Sequence, residues 1–500
     1  MMKYSPKTLT AGALLAIAPL TVTAAPLAAK TPAVKANRAA AAVAISPVSL
    51  AALPSFIDGV MAEQIATREV AGGVVTIVYK GKVLLSRGYG YANVDKRIPV
   101  DPARTLFRPG SVSKLFTWTA LMQQVEQGKV DLDADVNTYL DYKIPALGST
   151  PIRVRDLFQH TPGMSDIGGI TAENVGKLVP YRDWMKAHIP ARVWAPGTEI
   201  SYSNYGAALA GYIVERVSGE PYPDYVEKHI FRPLGMMTTT FREPLTGAMR
   251  DHMATGYEVK DGRLLATPFE YYSLIMPAGS ASATAPDMAR FMLAMLNKGQ
   301  LGTARILTPA SVAFLESNSF ANAPHLAGMA HGFMVHREAG PRLVGHGGNT
   351  QDFHSNLTIA PAADFGFFVS FTGGTGSYLG RTELSDAIIG KVFPQKPAPR
   401  WTGSEKRPPL GGYRSNRRDY AEAAQPEYDL KISMPADHIV TVENSGRKTS
   451  WEQVGPGLYE LVTGARDGGP YDRLEFYGTN ADPRLSFGSQ PHVTYHFVKP

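Results

Sequence analysis

The sequence predicts an α+β fold: one sheet assembled from strands far apart in the chain, a helical insertion beside it, and a small β domain at the C-terminal end. Three observations predict it. Runs rich in β-branched and aromatic residues occur early, in "VVTIVYKGKVLLSRGYGYAN", and late, in "HSNLTIAPAADFGFFVSFTGG", with helical periodicity between them. The Pro-rich stretch 396–412 then interrupts the pattern. Beyond it, 413–500 alternates short strand-like runs ("EYDLKISM", "HIVTVEN", "LYELVTG", "DRLEFYG") with turn residues.

In chain order, residues 1–24 read as a secretory signal peptide. A basic start (Lys3, Lys7) precedes an apolar run from Leu9 to Val22, and small residues follow at Ala24 and Ala25. That run is shorter than the ~20 apolar residues of a membrane span. The expected location is therefore periplasmic or secreted, with no stable span in the mature chain. Residues 25–52, rich in Ala, Pro and Lys, read as a linker, although a helix with apolar spacing is expected from about Leu53 to Thr67. Lys80-Gly81 between two β-branched runs signals a hairpin. After Pro109-Gly110, apolar residues at Leu115, Trp118, Leu121 and Met122 with a stop at Gly128 predict a helix. Helical segments broken by Pro and Gly follow to about 300. A last helix is expected from about Thr382 to Val392. The main folded region is bounded at 53–395.

Composition excludes several chemistries. The 500 residues are 44% apolar and 19% charged, enough for a sizeable core. There are no cysteines, which excludes disulfides and a thiol nucleophile. The net charge of +6 is dispersed, so no nucleic-acid partner is expected. No cluster has metal-ligand spacing, and "GYGYANV" lacks the strand–helix context of a nucleotide site, so no metal and no cofactor are expected.

Ser111-Val112-Ser113-Lys114 carries chemistry. Residues three apart share a helix face, so Lys114 can reach the Ser111 hydroxyl and act as its base once desolvated. A serine at a helix start also offers its N–H to a developing oxyanion. The pattern is weak alone, because Ser445-Gly446-Arg447-Lys448 matches it too, within a polar turn. Order separates the two. Only Ser111 is followed by Tyr202-Ser203-Asn204 and then by His346-Gly347-Gly348 before an apolar strand. Tyr202 beside a lysine can relay protons, partly or wholly as phenolate, and Asn204 can orient Lys114. Tyr91-Ala92-Asn93 and Lys260-Asp261-Gly262 read as a hairpin end and a tight turn. His160, His252 and His354 read as structural.

From about Phe56 to Val392 the chain resembles the serine β-lactamase and penicillin-binding-protein superfamily, in its class C β-lactamase-like branch. That branch includes D-alanyl-D-alanine carboxypeptidases, D-aminopeptidases and family VIII esterases. The resemblance rests on S-x-x-K, Y-x-N and H-x-G in order and on "VRDLFQHTPGM", "APGTEISYSNYG" and "GHGGNTQDF". It implies an antiparallel sheet with helices on both faces, beside a mostly helical region, with the site in the crevice between them. It implies Ser111 as acyl nucleophile, Lys114 and Tyr202 as the acid–base system, and the Ser111 and Asn349 N–H groups as oxyanion hole. Asn204, His346, Gly348 and Asn349 would bind substrate. His346 stands where a class C β-lactamase has Lys, and Gly347 where it has Thr. A permanent charge for a β-lactam carboxylate is thereby lost. The expected substrates are esters, amides or D-amino-acid peptides, including cell-wall peptides. A catalytically silent cell-wall-binding or scaffold protein of the same fold is the alternative.

Overall fold

The structure is a computed structural model that describes residues 43–67, 69–337, 340–404, 407–421, 428–463 and 472–499. The leader and residues 25–42 of the expected linker lie outside these. The last part of that linker is helical instead: a helix runs Pro47–Thr67, with proline at its first position, where its missing N–H leaves no intrahelical bond unmade.

A nine-stranded antiparallel sheet organises the first part of the chain. Its strands are β1 (Val70–Tyr79), β2 (Lys82–Asn93), β3 (Ile98–Pro99), β4 (Asn318–Phe320), β5 (Met329–Ala330), β6 (Met334–Arg337), β7 (Leu343–Asn349), β8 (Phe353–Ala360) and β9 (Phe365–Gly373). Their spatial order is β3-β2-β1-β9-β8-β7-β6-β5-β4, so β1 and β9, distant in sequence, pair at the centre. Period-two alternation sets the two faces. Phe365, Phe367, Val369 and Phe371 of β9 join Leu53, Ile57, Leu384 and Ile388 from the Pro47–Thr67 and Gly376–Val392 helices. Phe368 turns the other way, into a core shared with the Lys114–Glu126, Asn204–Ser218 and Ala285–Leu296 helices. Helices thus cover both faces. The Gly376–Val392 helix starts earlier than its apolar spacing suggested, because its first two turns carry the polar Ser377, Arg381 and Thr382.

The rejected motif matches occupy turns. Asp261 and Gly262 both have positive φ between the strands Tyr257–Lys260 and Arg263–Ala266, the type I′ geometry that Asp-Gly favours. Ser445, also at positive φ, joins the strands Ile439–Asn444 and Arg447–Gly455. Tyr91–Asn93 ends β2.

The C-terminal strands close into an eight-stranded barrel, from Gly411–Ser415 to Tyr495–Phe497, and these first and last strands pair with each other. Closure leaves no free sheet edge. Trp451, Tyr459, Leu474 and Phe487 fill the interior. Sheet, helical region and barrel belong to one compact unit, Asn37–Pro500. Glu199, 2% exposed, fastens them. Its carboxylate accepts from Asn416 Nδ2 at 2.7 Å and pairs with Arg484 at 3.1 Å and His496 at 3.0 Å. Asn416 also donates to the Ile200 carbonyl at 2.8 Å and accepts from Thr494 N–H at 3.1 Å. Among the described residues no helix is long and apolar enough to cross a membrane.

The fastening makes stability pH-dependent. Burial disfavours the charged form of His496, but the Glu199 and Asp482 carboxylates together outweigh this and the net shift is upward from 6.5. A raised folded-state pKa stabilises in full below the unfolded value and is lost as pH rises through the folded one. The unfolding midpoint of the full chain is expected to fall across that window, and less so in His496→Gln. Asn416→Ala removes three hydrogen bonds and is expected to cost about 1–3 kcal/mol, read by chemical denaturation. An unchanged midpoint would rule out the Glu199 cluster as a fastening.

Candidate active site

Ser111 lies in a 3-10 turn, Gly110–Ser113, that feeds the Lys114–Glu126 helix. Two glycines let β7 press against this turn. Gly110 has φ +54°, and a Cβ there would lie 2.8 Å from Asn349 N. A Cβ on Gly348 would lie 1.9 Å from the Pro109 carbonyl and 3.0 Å from Ser111 N. Side chains at either position would force the strand off the nucleophile turn. The Ser111 and Asn349 backbone amides are therefore held near each other, the arrangement an oxyanion needs. The Asn349 side chain is tied elsewhere, with its Oδ1 2.9 Å from Nδ1 of buried His354.

Lys114 is fully buried. Its Nζ lies 3.0 Å from Ser111 Oγ, 2.9 Å from Asn204 Oδ1 and 2.7 Å from the Ala278 carbonyl. Burial, reinforced by the Arg417 charge and opposed by Asp166, pulls its pKa well below the usual lysine range. An uncharged amine has two N–H bonds and one lone pair. Asn204 Oδ1 and the Ala278 carbonyl are acceptors, so in the uncharged form that burial favours, N–H bonds to them would leave the lone pair facing the Ser111 hydroxyl. The amine is thus arranged as a base.

Tyr202 sits in the loop before the Asn204–Ser218 helix, whose N-terminus Ser203 caps by accepting from Gly206 N–H at 2.9 Å. Its hydroxyl is buried, close enough to the Ser111 hydroxyl to be influenced by it. Burial raises the phenol pKa, with the Arg417 charge and the Ser111 hydroxyl acting against the rise. Burial therefore favours a neutral phenol over the phenolate that a nearby lysine suggested. Its ring is packed on several sides. His160 stacks at 4.4 Å, His492 meets it edge-on at 5.2 Å, and the Arg417 guanidinium lies 4.6 Å from its centre. His160 also accepts from Ser203 N–H at 3.3 Å, which ties down the loop.

His346 is buried, and its Nδ1 lies 2.5 Å from the Gly347 carbonyl while Nε2 is unpartnered. Burial holds its pKa well below 6.5. It presents a neutral nitrogen, so the positive charge at the site comes from elsewhere. A cavity of about 460 Å3 is lined by Ser111, Tyr202, His346, Asn349, Arg381 and Arg417, among others. The structure thus brings Ser111, Lys114, Tyr202, Asn204, His346, Gly348 and Asn349 together. Sequence reasoning missed Ala278, Asp166, Arg381, Arg417 and His492. Arg417 sits in "YRSNRRDY", where three arginines within five residues were the only visible hint. His252 is apart, 2.8 Å from Arg104.

Comparison with known proteins adds context. A model of the Beta-lactamase family matches residues 57–389. "Protein flp" of Staphylococcus aureus (strain MW2) is 26% identical over 318 residues, 63% of this chain and 62% of that protein. The chain thus spans less than two thirds of the curated relatives it matches. The structure of the octameric penicillin-binding protein homologue from Pyrococcus abyssi superposes with TM-score 0.60 at 23% identity. It covers 89% of this chain and 100% of that one, so the fold likeness reaches into the barrel. The D-amino acid amidase from Ochrobactrum anthropi SV3 gives TM-score 0.57 at 25% identity, over 68% of this chain and 98% of that one.

The close approach at Gly348 is testable. Gly348→Ala is expected to slow the reaction of Ser111 with a fluorophosphonate by about hundredfold, the cost of displacing reacting groups by about an ångström, with the circular dichroism spectrum unchanged. Normal labelling of this variant would show that β7 does not shape the site.

Proposed function

Because the chain belongs to the Beta-lactamase family, we propose that it is an exported serine hydrolase working through an acyl-enzyme on Ser111, with small esters or D-amino-acid amides and peptides as substrates. One observation carries this reading. The Lys114 amine is fully buried 3.0 Å from Ser111 Oγ, with Asn204 Oδ1 and the Ala278 carbonyl as further acceptors around it. A silent scaffold has no need of an uncharged lysine there. Likeness to a D-amino acid amidase supports an acyl substrate of that class. The neutral His346 argues against β-lactam carboxylates as preferred ligands. Export rests on the leader-like order of residues 1–24.

In the first half-reaction the Lys114 lone pair takes the Ser111 proton as Oγ bonds to the substrate carbonyl carbon. The carbonyl oxygen gains negative charge and meets the Ser111 and Asn349 N–H groups. The bond to the leaving group then breaks. Its oxygen or nitrogen takes a proton from the Lys114–Tyr202 pair, where the neutral phenol is a donor. Water enters, gives a proton to the same pair and attacks the acyl carbon. Oγ leaves with a proton, and the site returns to its starting state.

Treating the full chain with a fluorophosphonate and mapping the adduct by mass spectrometry tests the proposal. The expected result is one adduct, on Ser111, absent in Ser111→Ala. Lys114→Ala and Tyr202→Phe are each expected to slow labelling or ester hydrolysis by about hundredfold or more. The lysine works uncharged, so the rate is present above its depressed pKa and lost as pH falls through it. No adduct, together with no hydrolysis of p-nitrophenyl esters or D-alanyl peptides, would sink the proposal.

A further inference from the structure

The barrel does more than sit beside the crevice. Arg417 follows its first strand, Gly411–Ser415, yet its guanidinium lies 4.6 Å from the centre of the Tyr202 ring and it lines the same cavity as Ser111. Its position is fixed from both ends. Nε pairs with Asp166 Oδ2 at 3.1 Å, and Asp166 N–H donates to the Arg418 carbonyl at 3.0 Å. The preceding residue, Asn416, is fully buried and bonds Glu199 and the Ile200 carbonyl, two to three residues before Tyr202. One short barrel segment therefore holds the Tyr202 loop by its backbone and its ring.

We propose that Arg417, although part of the barrel segment, is a positioning residue for the reaction at Ser111: it pins the Tyr202 ring and supplies a positive charge facing the Tyr202–Lys114 pair. This rests on the hydrolase reading above and deepens it.

The surrounding groups leave that charge to Arg417. His160, His346 and His492 reach the pair from three other elements, and burial keeps all three imidazoles from charging. Asp166 also faces the pair and opposes Arg417, but it is the carboxylate Arg417 is bound to. Arg337 and Arg381 line the cavity as well, yet neither acts on Lys114 or Tyr202 as Arg417 does. A positive charge here makes the amine easier to keep unprotonated and the phenol easier to ionise. Removing it lets Lys114 hold its proton to higher pH.

The test is the pH profile of kcat/KM for p-nitrophenyl butyrate, measured on the full chain. The Arg417 side chain is 37% exposed, so its replacement opens no core cavity. Arg417→Gln is expected to lower kcat/KM at neutral pH by about tenfold and to move the acid limb to higher pH. Arg417→Lys, which keeps the charge, is expected to return the limb toward its original place. A lowered rate with the limb unmoved, in a variant that unfolds at the wild-type midpoint, would reduce Arg417 to a structural contact. An unchanged rate and limb would overturn the proposal outright. If the wild-type chain neither hydrolyses the ester nor labels at Ser111, the hydrolase reading fails and takes this one with it. If it does both, only the role of Arg417 is being judged.

Discussion

Taking the Lys114 amine out of water costs it its proton only because nothing nearby compensates a charge there. The one carboxylate that acts on it, Asp166, is already engaged by Arg417. Much of the fold can be read as what keeps that pocket dry and correctly lined. The Lys114–Glu126 helix is buried on nearly every side, including by the Asn204–Ser218 helix that brings Asn204. The Ala278 carbonyl comes from a third element. Let water in, and the amine would charge, its lone pair would vanish, and Ser111 would be an ordinary hydroxyl.

The same neighbourhood sets the phenol. Tyr202 is neutral for the same reason that Lys114 is: burial disfavours whichever form carries charge. The pair therefore rests with one available lone pair and one available proton, and no net charge. Such a pair can take a proton from one substrate-side atom and give one to another without building up charge in a dry site.

Much of this was legible in the sequence. β-Branched and aromatic runs located β1, β8 and β9, and helical spacing with a Gly stop located the helix after Ser111, because these patterns are local. Motif order picked Ser111, Tyr202 and His346 over rivals at Ser445, Tyr91 and Lys260, whose turn chemistry was equally readable. The sequence concealed two things. Backbone partners carry no residue signature, so the Ala278 carbonyl could not be picked out. Nor does an arginine in a polar turn reveal that a barrel will lay it against a tyrosine more than two hundred positions earlier. The neutral state of Tyr202 was hidden for the same reason, since it follows from the residue's own burial and not from its adjacency to a lysine.

The barrel's closure has a consequence in time. Its first strand pairs with Tyr495–Phe497, and Thr494 N–H bonds Asn416, so Asn416 and Arg417 are not fixed until residues 494–497 exist. The sheet and helices can be complete well before that. During synthesis the loop carrying Tyr202 is therefore held from one side only until the stretch around Thr494 has emerged and closed the barrel. A nascent or C-terminally clipped chain carries every residue of the three motifs and still lacks the clamp around them.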